Sequence, residues 1–316
     1  MVDSYELAAE RIIKEANDLS EDRKEPVTAL DGEYSRVDLC VLKTGLSPKT
    51  LAKLFFMSAR KEELGRDNLE KKLARARKLI CEGRLPFSLN EFDKALSEWK
   101  AAGYPAISHS EAFRKLYNPS YRVILNRYIP YLPLLSRIDT ALEKGALTLA
   151  IEGGSASGKT TLSEIVNELY GATVFHMDDF FLRPEQRTKE RYSEIGGNID
   201  RERFLCEVLI PHSRGEVISY RRFDCGSLKL CPPVRTVPGK LTVIEGAYSM
   251  HRDLAAYYGL SVFLDISPEL QKKRISVRNS PEMAERFHNE WIPLEERYFR
   301  EWNIKEKCDM IIKIKN

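Results

Sequence analysis

The sequence predicts an α/β fold: a domain with a parallel sheet of about five strands, preceded by a mostly α-helical N-terminal region. From residue 146 onward, short apolar runs alternate with helical or loop segments, which is typical of a parallel sheet that is buried on both faces. The first run ends in a glycine-rich turn and continues into helix-compatible sequence. We therefore expect a helical region over residues 1–143 and an α/β domain over residues 144–316.

The first 143 residues contain helix signals but no motif with a chemical role. The Ser47-Pro48 pair opens one apolar pattern, and a second pattern runs from residue 67 to residue 81. Ser88, with a glutamate three residues later, is a capping box that begins a third helix. Prolines then punctuate two short apolar segments, 120–129 and 133–143, which we expect to be helical.

The strands of the predicted sheet are short and almost continuously apolar, as expected of parallel strands covered by helices. A helix-compatible segment or a loop separates each run from the next, which favours crossover connections. The five runs are residues 146–151, 172–177, 240–245, 260–265 and 309–314.

Composition excludes several classes of protein. No apolar run approaches the roughly 20 residues that cross a bilayer, and the net charge of +3 is too small to indicate a nucleic-acid partner. The six cysteines form no C-x-x-C pair, and the N-terminus lacks the pattern of a signal peptide. We expect a cytoplasmic protein that acts on a small molecule and has no membrane or nucleic-acid partner. It could form a homo-oligomer.

The glycine-rich turn has the pattern Gly153-x-x-x-x-Gly158-Lys159-Thr160, with a strand before it and a helix after it. Such a loop points several backbone N–H groups at one anion, and the helix N-terminus adds partial positive charge. Lys159 would reach the β- and γ-phosphates of ATP, and the Thr160 hydroxyl would bind Mg²⁺. The expected nucleotide-binding residues are Gly153, Gly154, Ser155, Ala156, Ser157, Gly158, Lys159, Thr160 and Thr161.

Acidic residues at the ends of two later strands favour a small-molecule kinase. The chain has no Asn-Lys-x-Asp segment of GTPases, and Glu245 is a single carboxylate where many ATPases have an Asp-Glu pair. Asp178 and Asp179 follow the second strand, at the edge of the sheet where ligands bind. A kinase needs a carboxylate beside the acceptor hydroxyl, and often another near Mg²⁺. The alternative is that these acids form turns or cap helices; His176, inside the strand, is expected to be structural.

Residues 146–314 resemble the uridine kinase and phosphoribulokinase superfamily of P-loop kinases. The features follow in family order: GGSASGKTT, MDDFF, Asn198-x-Asp200, VIEG and DISPELQKKRISVRN. The resemblance implies that Asp178 is the catalytic base and that Asp200 contacts the sugar hydroxyls of the acceptor. It also implies that Glu245 belongs to the magnesium site, with Thr160 and Asp178.

Two arginines match the lid of that family, which closes on the triphosphate. Arg274 and Arg278 are four residues apart and share one helix face. Two guanidinium groups there could neutralise the transferred phosphoryl group together with Lys159. The alternative is an ordinary basic surface helix, since Lys272 and Lys273 lie beside them.

The acceptor remains open, because the chain departs from the nucleoside kinases of the family. Arg201-Glu202 follows Asp200 in place of His-Pro, so Asp200 could also be a helix cap. Tyr220 and Phe223 could stack on a base or belong to the core, and Arg221-Arg222 between them could bind an anion. The leading hypothesis for the acceptor is a nucleoside (uridine or cytidine), and pantothenate, glycerate or a pentose phosphate are the alternatives. A further alternative is that the domain is a non-catalytic ATP-gated regulator.

Overall fold

A computed structural model describes residues 5–17, 25–30, 32–59, 62–105, 107 and 109–315, with the backbone alone for residues 62–65. The chain forms two compact units, which divide between Ile129 and Pro130. The sequence predicts a boundary after residue 143. In the structure, the helix that precedes the first strand of the second unit is grouped with that unit.

The first unit combines helices with a small antiparallel sheet of order β1-β2-β3. Three expected helices are present, and Ser88 caps the third by accepting a hydrogen bond from the backbone N–H of Glu91 at 3.4 Å. The elements are α1 (Tyr5–Asn17), β1 (Val27–Ala29), β2 (Tyr34–Asp38), α2 (Pro48–Ala59), α3 (Glu62–Cys81), α4 (Leu89–Ala101), α5 (Glu111–Tyr117) and β3 (Tyr121–Leu125).

The prediction of a helix over residues 120–129 is wrong. Tyr121–Leu125 is strand β3, antiparallel to β2, and a 3₁₀ turn over Asn126–Tyr131 follows it. The segment is rich in β-branched and aromatic residues, which pack well on a pleated surface. Pairing with β2 also buries Ile124 completely. The N-terminal region is therefore helical with a three-stranded sheet added.

The second unit contains the α/β domain. Its strands are β4 (Leu147–Gly153), β5 (Thr173–His176), β6 (Ile218–Tyr220), β7 (Phe223–Asp224), β8 (Lys229–Leu230), β9 (Val234–Thr236), β10 (Leu241–Glu245), β11 (Leu260–Ile266) and β12 (Met310–Ile314). Its helices are α6 (Leu132–Lys144), α7 (Lys159–Tyr170), α8 (Lys189–Ser193), α9 (Arg201–Phe204), α10 (Ile210–Ser213), α11 (Pro268–Arg278), α12 (Pro281–Arg286), α13 (Ile292–Trp302) and α14 (Ile304–Lys307). Two π-helical turns, Leu205–Leu209 and Phe287–Trp291, continue α9 and α12.

The predicted five-stranded parallel sheet is confirmed, with the order β12-β11-β4-β10-β5. Every residue of β4 and of β10 is buried, which explains the apolar runs in the sequence. Helix α7 buries Leu162, Ile165, Val166 and Leu169 at helical spacing. The parallel sheet therefore forms the buried centre of this unit, and the carboxyl ends of its strands lie along one edge.

That edge brings together three chain segments that are far apart in the sequence. In the register of the parallel sheet, Glu245 at the end of β10 pairs with Ile151 of β4 and with His176 of β5. The glycine-rich loop follows β4, and a 3₁₀ turn (Met177–Phe180) follows β5. Among the described residues, no helix has the length and apolar character that a membrane span requires.

Candidate functional site

The glycine-rich loop depends on glycine at two positions. Gly153 has φ +148°, and a Cβ there would lie 2.7 Å from the carbonyl oxygen of Leu264 in β11. Gly158, with φ +98°, ends the loop in the left-handed region immediately before α7. Ala156 also has a positive φ, +60°. The chain therefore turns tightly from β4 into α7, leaving the N-terminus of α7 at the edge of the sheet.

Lys159 folds back over this loop. Its Nζ donates hydrogen bonds to the carbonyl oxygens of Gly153 and Gly154, at 2.9 and 3.0 Å. Its ammonium group therefore lies beside the loop that leads into the N-terminus of α7. This arrangement suits a phosphate chain, since the dipole of α7 adds to the charge of Lys159.

Two helices of the second unit hold the middle of the loop. Glu295 of α13 accepts hydrogen bonds from the backbone N–H and the hydroxyl of Ser155, at 2.8 and 2.6 Å. Gln271 of α11 donates to the carbonyl oxygen of Ser155 at 2.9 Å. Arg274 of α11 donates from Nη1 to the carbonyl oxygen of Ala156 at 3.2 Å. Sequence reasoning missed Glu295 and Gln271, because nothing local in the chain marks a contact more than 100 residues away.

A buried carboxylate underlies the loop. Glu152, the residue before Gly153, is completely buried. Its Oε1 accepts a hydrogen bond from Gly153 N–H, and its Oε2 accepts from Met250 N–H and from the Tyr298 hydroxyl. Burial raises the pKa of Glu152 to about 7, although these donors favour the ionised form. Helix α13 thus contacts both the base of the loop, through Tyr298, and its middle.

His176, Glu245 and Thr160 form a connected group at the sheet edge. The Nδ1 of His176 lies 2.6 Å from Oε1 of Glu245, which also accepts a hydrogen bond from the Thr160 hydroxyl at 3.1 Å. The hydrogen bond with Glu245 is the main reason that the pKa of His176 is raised. We expected only a structural role for His176. The signal that could have placed it here is its position at the end of a strand that pairs with β10.

Asp178 lies in the 3₁₀ turn after β5. Asp178 is exposed to solvent. Desolvation is the main cause that raises the pKa of Asp178; the charge of Lys159 lowers it and that of Glu245 raises it. The charge of Arg278 also lowers this pKa. Of the predicted catalytic residues, Lys159 and Arg278 therefore lie within electrostatic range of Asp178.

The oxygen donors at this edge fit Mg²⁺, which binds proteins through one or two side-chain oxygens and completes its coordination with water and phosphate. The Thr160 hydroxyl and the Glu245 carboxylate are in direct contact, and the charge of Glu245 raises the pKa of Asp178. In the part of the chain that the structure describes, no cluster of three or more His, Cys, Asp or Glu side chains is arranged around a metal position. These residues suit a cation held jointly with phosphates.

Asp200 has a structural role in this structure. It is the N-cap of α9: its carboxylate accepts hydrogen bonds from the backbone N–H and from Nε of Arg203, both at 3.2 Å. Its side chain is almost completely buried. The preceding glycines serve close packing, since a Cβ on Gly197 would lie 2.0 Å from the carbonyl oxygen of Arg191.

The aromatic residues proposed for the acceptor pocket belong to the core. Tyr220 is 8% exposed and Phe223 is 5% exposed. The ring of Tyr220 stacks on Phe180, with 5.8 Å between the ring centroids. Arg221 is engaged with the hairpin of β7 and β8, donating to the carbonyl oxygens of Leu230 and Cys231, whereas Arg222 is exposed. Of the two interpretations of Tyr220 and Phe223, stacking on a base or packing in the core, the structure supports packing in the core.

Similar solved structures include kinases. A possible uridine kinase from Bacillus stearothermophilus is 20% identical, with a TM-score of 0.42, over 57% of this chain and 98% of that one. A shikimate kinase from Aquifex aeolicus is 17% identical (TM-score 0.28; 53% and 85% covered), and one from Acinetobacter baumannii in complex with shikimate is 15% identical (0.28; 56% and 88%). No protein-family model and no curated protein sequence matches the chain. With TM-scores below 0.5, the fold assignment rests on the strand order and register described above.

Proposed function

We propose that the second unit is a kinase that transfers the γ-phosphoryl group of ATP to a hydroxyl group of a small molecule. The observation that carries this proposal is the placement of Lys159 and Asp178 at one edge of the sheet, after two strands that both pair with β10. Lys159 lies at the end of a glycine-rich loop suited to phosphate, and Asp178 is an exposed carboxylate that an acceptor can reach. A phosphate site and a proton acceptor side by side are what phosphoryl transfer to a hydroxyl requires.

Each residue has a role that its position supports. Asp178 accepts the proton of the acceptor hydroxyl and orients its oxygen for in-line attack. Lys159 neutralises the β- and γ-phosphates, and Arg274 and Arg278 of α11 add positive charge around the transferred group. Thr160, Glu245 and Asp178 would hold Mg²⁺, which when bound neutralises charge that develops on the phosphates. His176 keeps the Glu245 carboxylate in place.

The resemblance to uridine kinases implies a nucleoside acceptor, uridine or cytidine. Tyr220 and Phe223, the residues expected to stack on a base, are buried, which leaves little ring surface for it. Asp200 is engaged by Arg203, so a contact with sugar hydroxyls requires that its carboxylate accept a further hydrogen bond. An acceptor that carries a negative charge is the second candidate, and exposed Arg222 favours it.

The test is acceptor-dependent release of ADP, measured with uridine, cytidine, pantothenate, glycerate and ribulose 5-phosphate. Asp178→Asn should lower the rate about 10²- to 10⁴-fold with ATP binding retained, since the amide cannot accept the proton. Glu164→Gln, an exposed change on α7, is the matched control. Full turnover by Asp178→Asn would show that Asp178 is not the base.

The main alternative is a nucleotide-gated regulator without a phosphoryl acceptor. It predicts tight ATP binding, no acceptor-dependent turnover, and altered hydrogen exchange in residues 5–129 when ATP is added. That combination would contradict the kinase proposal. A cytoplasmic location, a homo-oligomeric state and the absence of nucleic-acid partners remain predictions from the sequence.

A further inference from the structure

A short hairpin, β7 and β8, lies against the turn that carries Asp178. The guanidinium group of Arg203 joins the two: its Nη1 donates to the carbonyl oxygen of Arg221, and its Nη2 donates to that of Asp179 at 3.1 Å. The Arg203 side chain is only 9% exposed, so this connection is fixed in the interior. Arg222 follows immediately in the chain and is therefore placed beside the Asp178-Asp179 turn, with an exposed side chain.

Arg187 reaches the same place from another segment. Its guanidinium carbon lies 5.7 Å from the centre of the Phe223 ring, and its Nε donates to the carbonyl oxygen of Leu182 at 3.1 Å. Burial is the main cause that raises the pKa of the Cys225 thiol, on the same hairpin. The charge of Arg187 lowers that pKa and the charge of Asp178 raises it, so both charges lie close to this thiol.

These two guanidinium groups differ from those of Arg183, Arg191 and Arg203 nearby, and the side chain of Arg221 donates to backbone carbonyl oxygens. Among the residues that the structure describes, neither Arg187 nor Arg222 forms an ion pair with a carboxylate at hydrogen-bond distance. Their neighbours do: the pairs are Arg183 with Glu185 at 3.1 Å, Arg191 with Glu202 at 2.7 Å, and Arg203 with Asp200 at 3.2 Å. Two guanidinium groups that form no ion pair, close to a candidate catalytic carboxylate, are available to bind an anion.

The anion that they would bind is distinct from the triphosphate of ATP. Arg222 follows Arg221, whose carbonyl oxygen shares the Arg203 guanidinium group with that of Asp179, and Arg187 lies against Phe223 of the hairpin. Lys159 and Arg274, by contrast, donate hydrogen bonds to carbonyl oxygens of the glycine-rich loop. Arg187 and Arg222 therefore belong to the hairpin side of the site and not to the loop that would hold the triphosphate.

We propose that Arg187 and Arg222 bind an anionic group, a carboxylate or a phosphate, on the molecule whose hydroxyl group faces Asp178. This inference rests on the proposed kinase function and names the class of its acceptor. The reaction is unchanged: the acceptor oxygen forms a bond to the γ-phosphorus, the bond to the β,γ-bridging oxygen breaks, and the hydroxyl proton goes to Asp178. The anionic group fixes the orientation of the acceptor and takes no part in bond making.

Matched pairs of acceptors test the inference. Pantothenate and pantothenol, glycerate and glycerol, and ribulose 5-phosphate and ribulose differ mainly in their negative charge. We expect kcat/KM at least about tenfold higher for the charged member of one pair, since a charge-assisted hydrogen bond contributes this much or more. The pantothenate and glycerate pairs identify a carboxylate, and the ribulose pair identifies a phosphate.

Arg222→Gln and Arg187→Gln should each raise the KM of the anionic acceptor about 10- to 100-fold and leave the KM of ATP unchanged. The KM of the neutral partner should not change. Lys229→Gln is the matched control, because it removes an exposed positive charge from the same hairpin. An increase in the KM of ATP instead would place the two arginines on the nucleotide and overturn the inference.

Equilibrium binding separates failure of the inference from failure of the kinase proposal. If no acceptor is phosphorylated, the kinase proposal fails on this panel, and titration calorimetry with ribose 5-phosphate and ribose in the presence of ADP still tests the anion site. Binding of only the phosphate ester, lost in Arg222→Gln, supports the site without the activity. Equal behaviour of charged and neutral probes, or no effect of either arginine variant, overturns the inference even where phosphorylation occurs.

Discussion

Glu295 accepts both hydrogen bonds that Ser155 can donate, one from the backbone N–H and one from the hydroxyl. The carboxylate comes from α13 and is 5% exposed, and burial is the main cause that raises its pKa. The charge of Lys159 lowers that pKa, so the two charges are close. The loop that we propose to bind phosphate is therefore held, in its middle, by a carboxylate.

This contact predicts opposite effects for two substitutions at one position. Glu295→Gln keeps an oxygen for the Ser155 N–H and an amide that can donate to its hydroxyl, but removes the charge. It should tighten ATP binding several-fold at low salt, because the triphosphate no longer meets a nearby carboxylate. Glu295→Ala should bind ATP more weakly than Glu295→Gln, because the Ser155 N–H and hydroxyl lose their acceptor and the loop loses its support.

Titration with a fluorescent ATP analogue at low and at high salt measures both effects. Glu296→Gln removes an exposed charge from the next position of α13 and serves as the control. Salt should reduce the gain of Glu295→Gln, since charge interactions are screened. Equal affinities for the alanine and glutamine variants would show that Glu295 does not support the loop.

Local sequence patterns were sufficient for the sheet and for the loop. Each strand of the parallel sheet is an almost continuously apolar run, and the spacing from Gly153 to Thr160 is a motif that can be recognised in a short segment alone. The contacts of Glu295 and Gln271 with Ser155 could not be predicted in this way, because they join residues more than 100 positions apart. Helix periodicity also failed at 120–129, where a partner strand decides the structure.

Glu245 should set the requirement for Mg²⁺. Glu245→Gln keeps an oxygen for the Thr160 hydroxyl but removes the negative charge. We expect the Mg²⁺ concentration for half-maximal nucleotide binding to rise about tenfold. The measurement is a Mg²⁺ titration of ATP binding, with Glu164→Gln as the control. Excess EDTA should abolish the Mg²⁺-dependent part of ATP binding in the Glu245→Gln variant and in the control alike. An unchanged titration curve would remove Glu245 from the magnesium site.

The two arginines of α11 should act at different stages of the reaction. Arg274 already contacts the loop through the carbonyl oxygen of Ala156, whereas Arg278 is exposed, with its guanidinium carbon 5.7 Å from the Phe287 ring centre. Arg274→Gln should therefore weaken ATP binding, and Arg278→Gln should mainly lower kcat, by about tenfold or more. Lys273→Gln, on the same helix, is the control. A kcat that is insensitive to Arg278 would contradict its role at the transferred phosphoryl group.

Glu152 should make the stability of the protein depend on pH. Burial raises its pKa from 4.5 to about 7. Between these values the folded protein binds more protons at this group than the unfolded chain does, so the free energy of unfolding falls as pH rises through this window. The stabilisation is fully present below about pH 4.5 and is lost by about pH 7, and the total is on the order of 3 kcal/mol.

Glu152→Gln isolates this effect, because glutamine has no proton to lose. The glutamine side chain would face the N–H groups of Gly153 and Met250, so its own NH₂ group would meet one of these donors instead of accepting a hydrogen bond from it. The variant should therefore be less stable than the original protein at pH 5. Urea unfolding at pH 5 and at pH 8 gives the difference in unfolding free energy between the two proteins. This difference should shrink as pH rises, whereas the exposed Glu164→Gln control should show little change. Glu152 accepts hydrogen bonds from Gly153, Met250 and Tyr298, and a longer one from the Ser249 hydroxyl at 3.4 Å. A difference that grows with pH would mean that these four donors outweigh the effect of burial and that Glu152 is ionised beneath the loop.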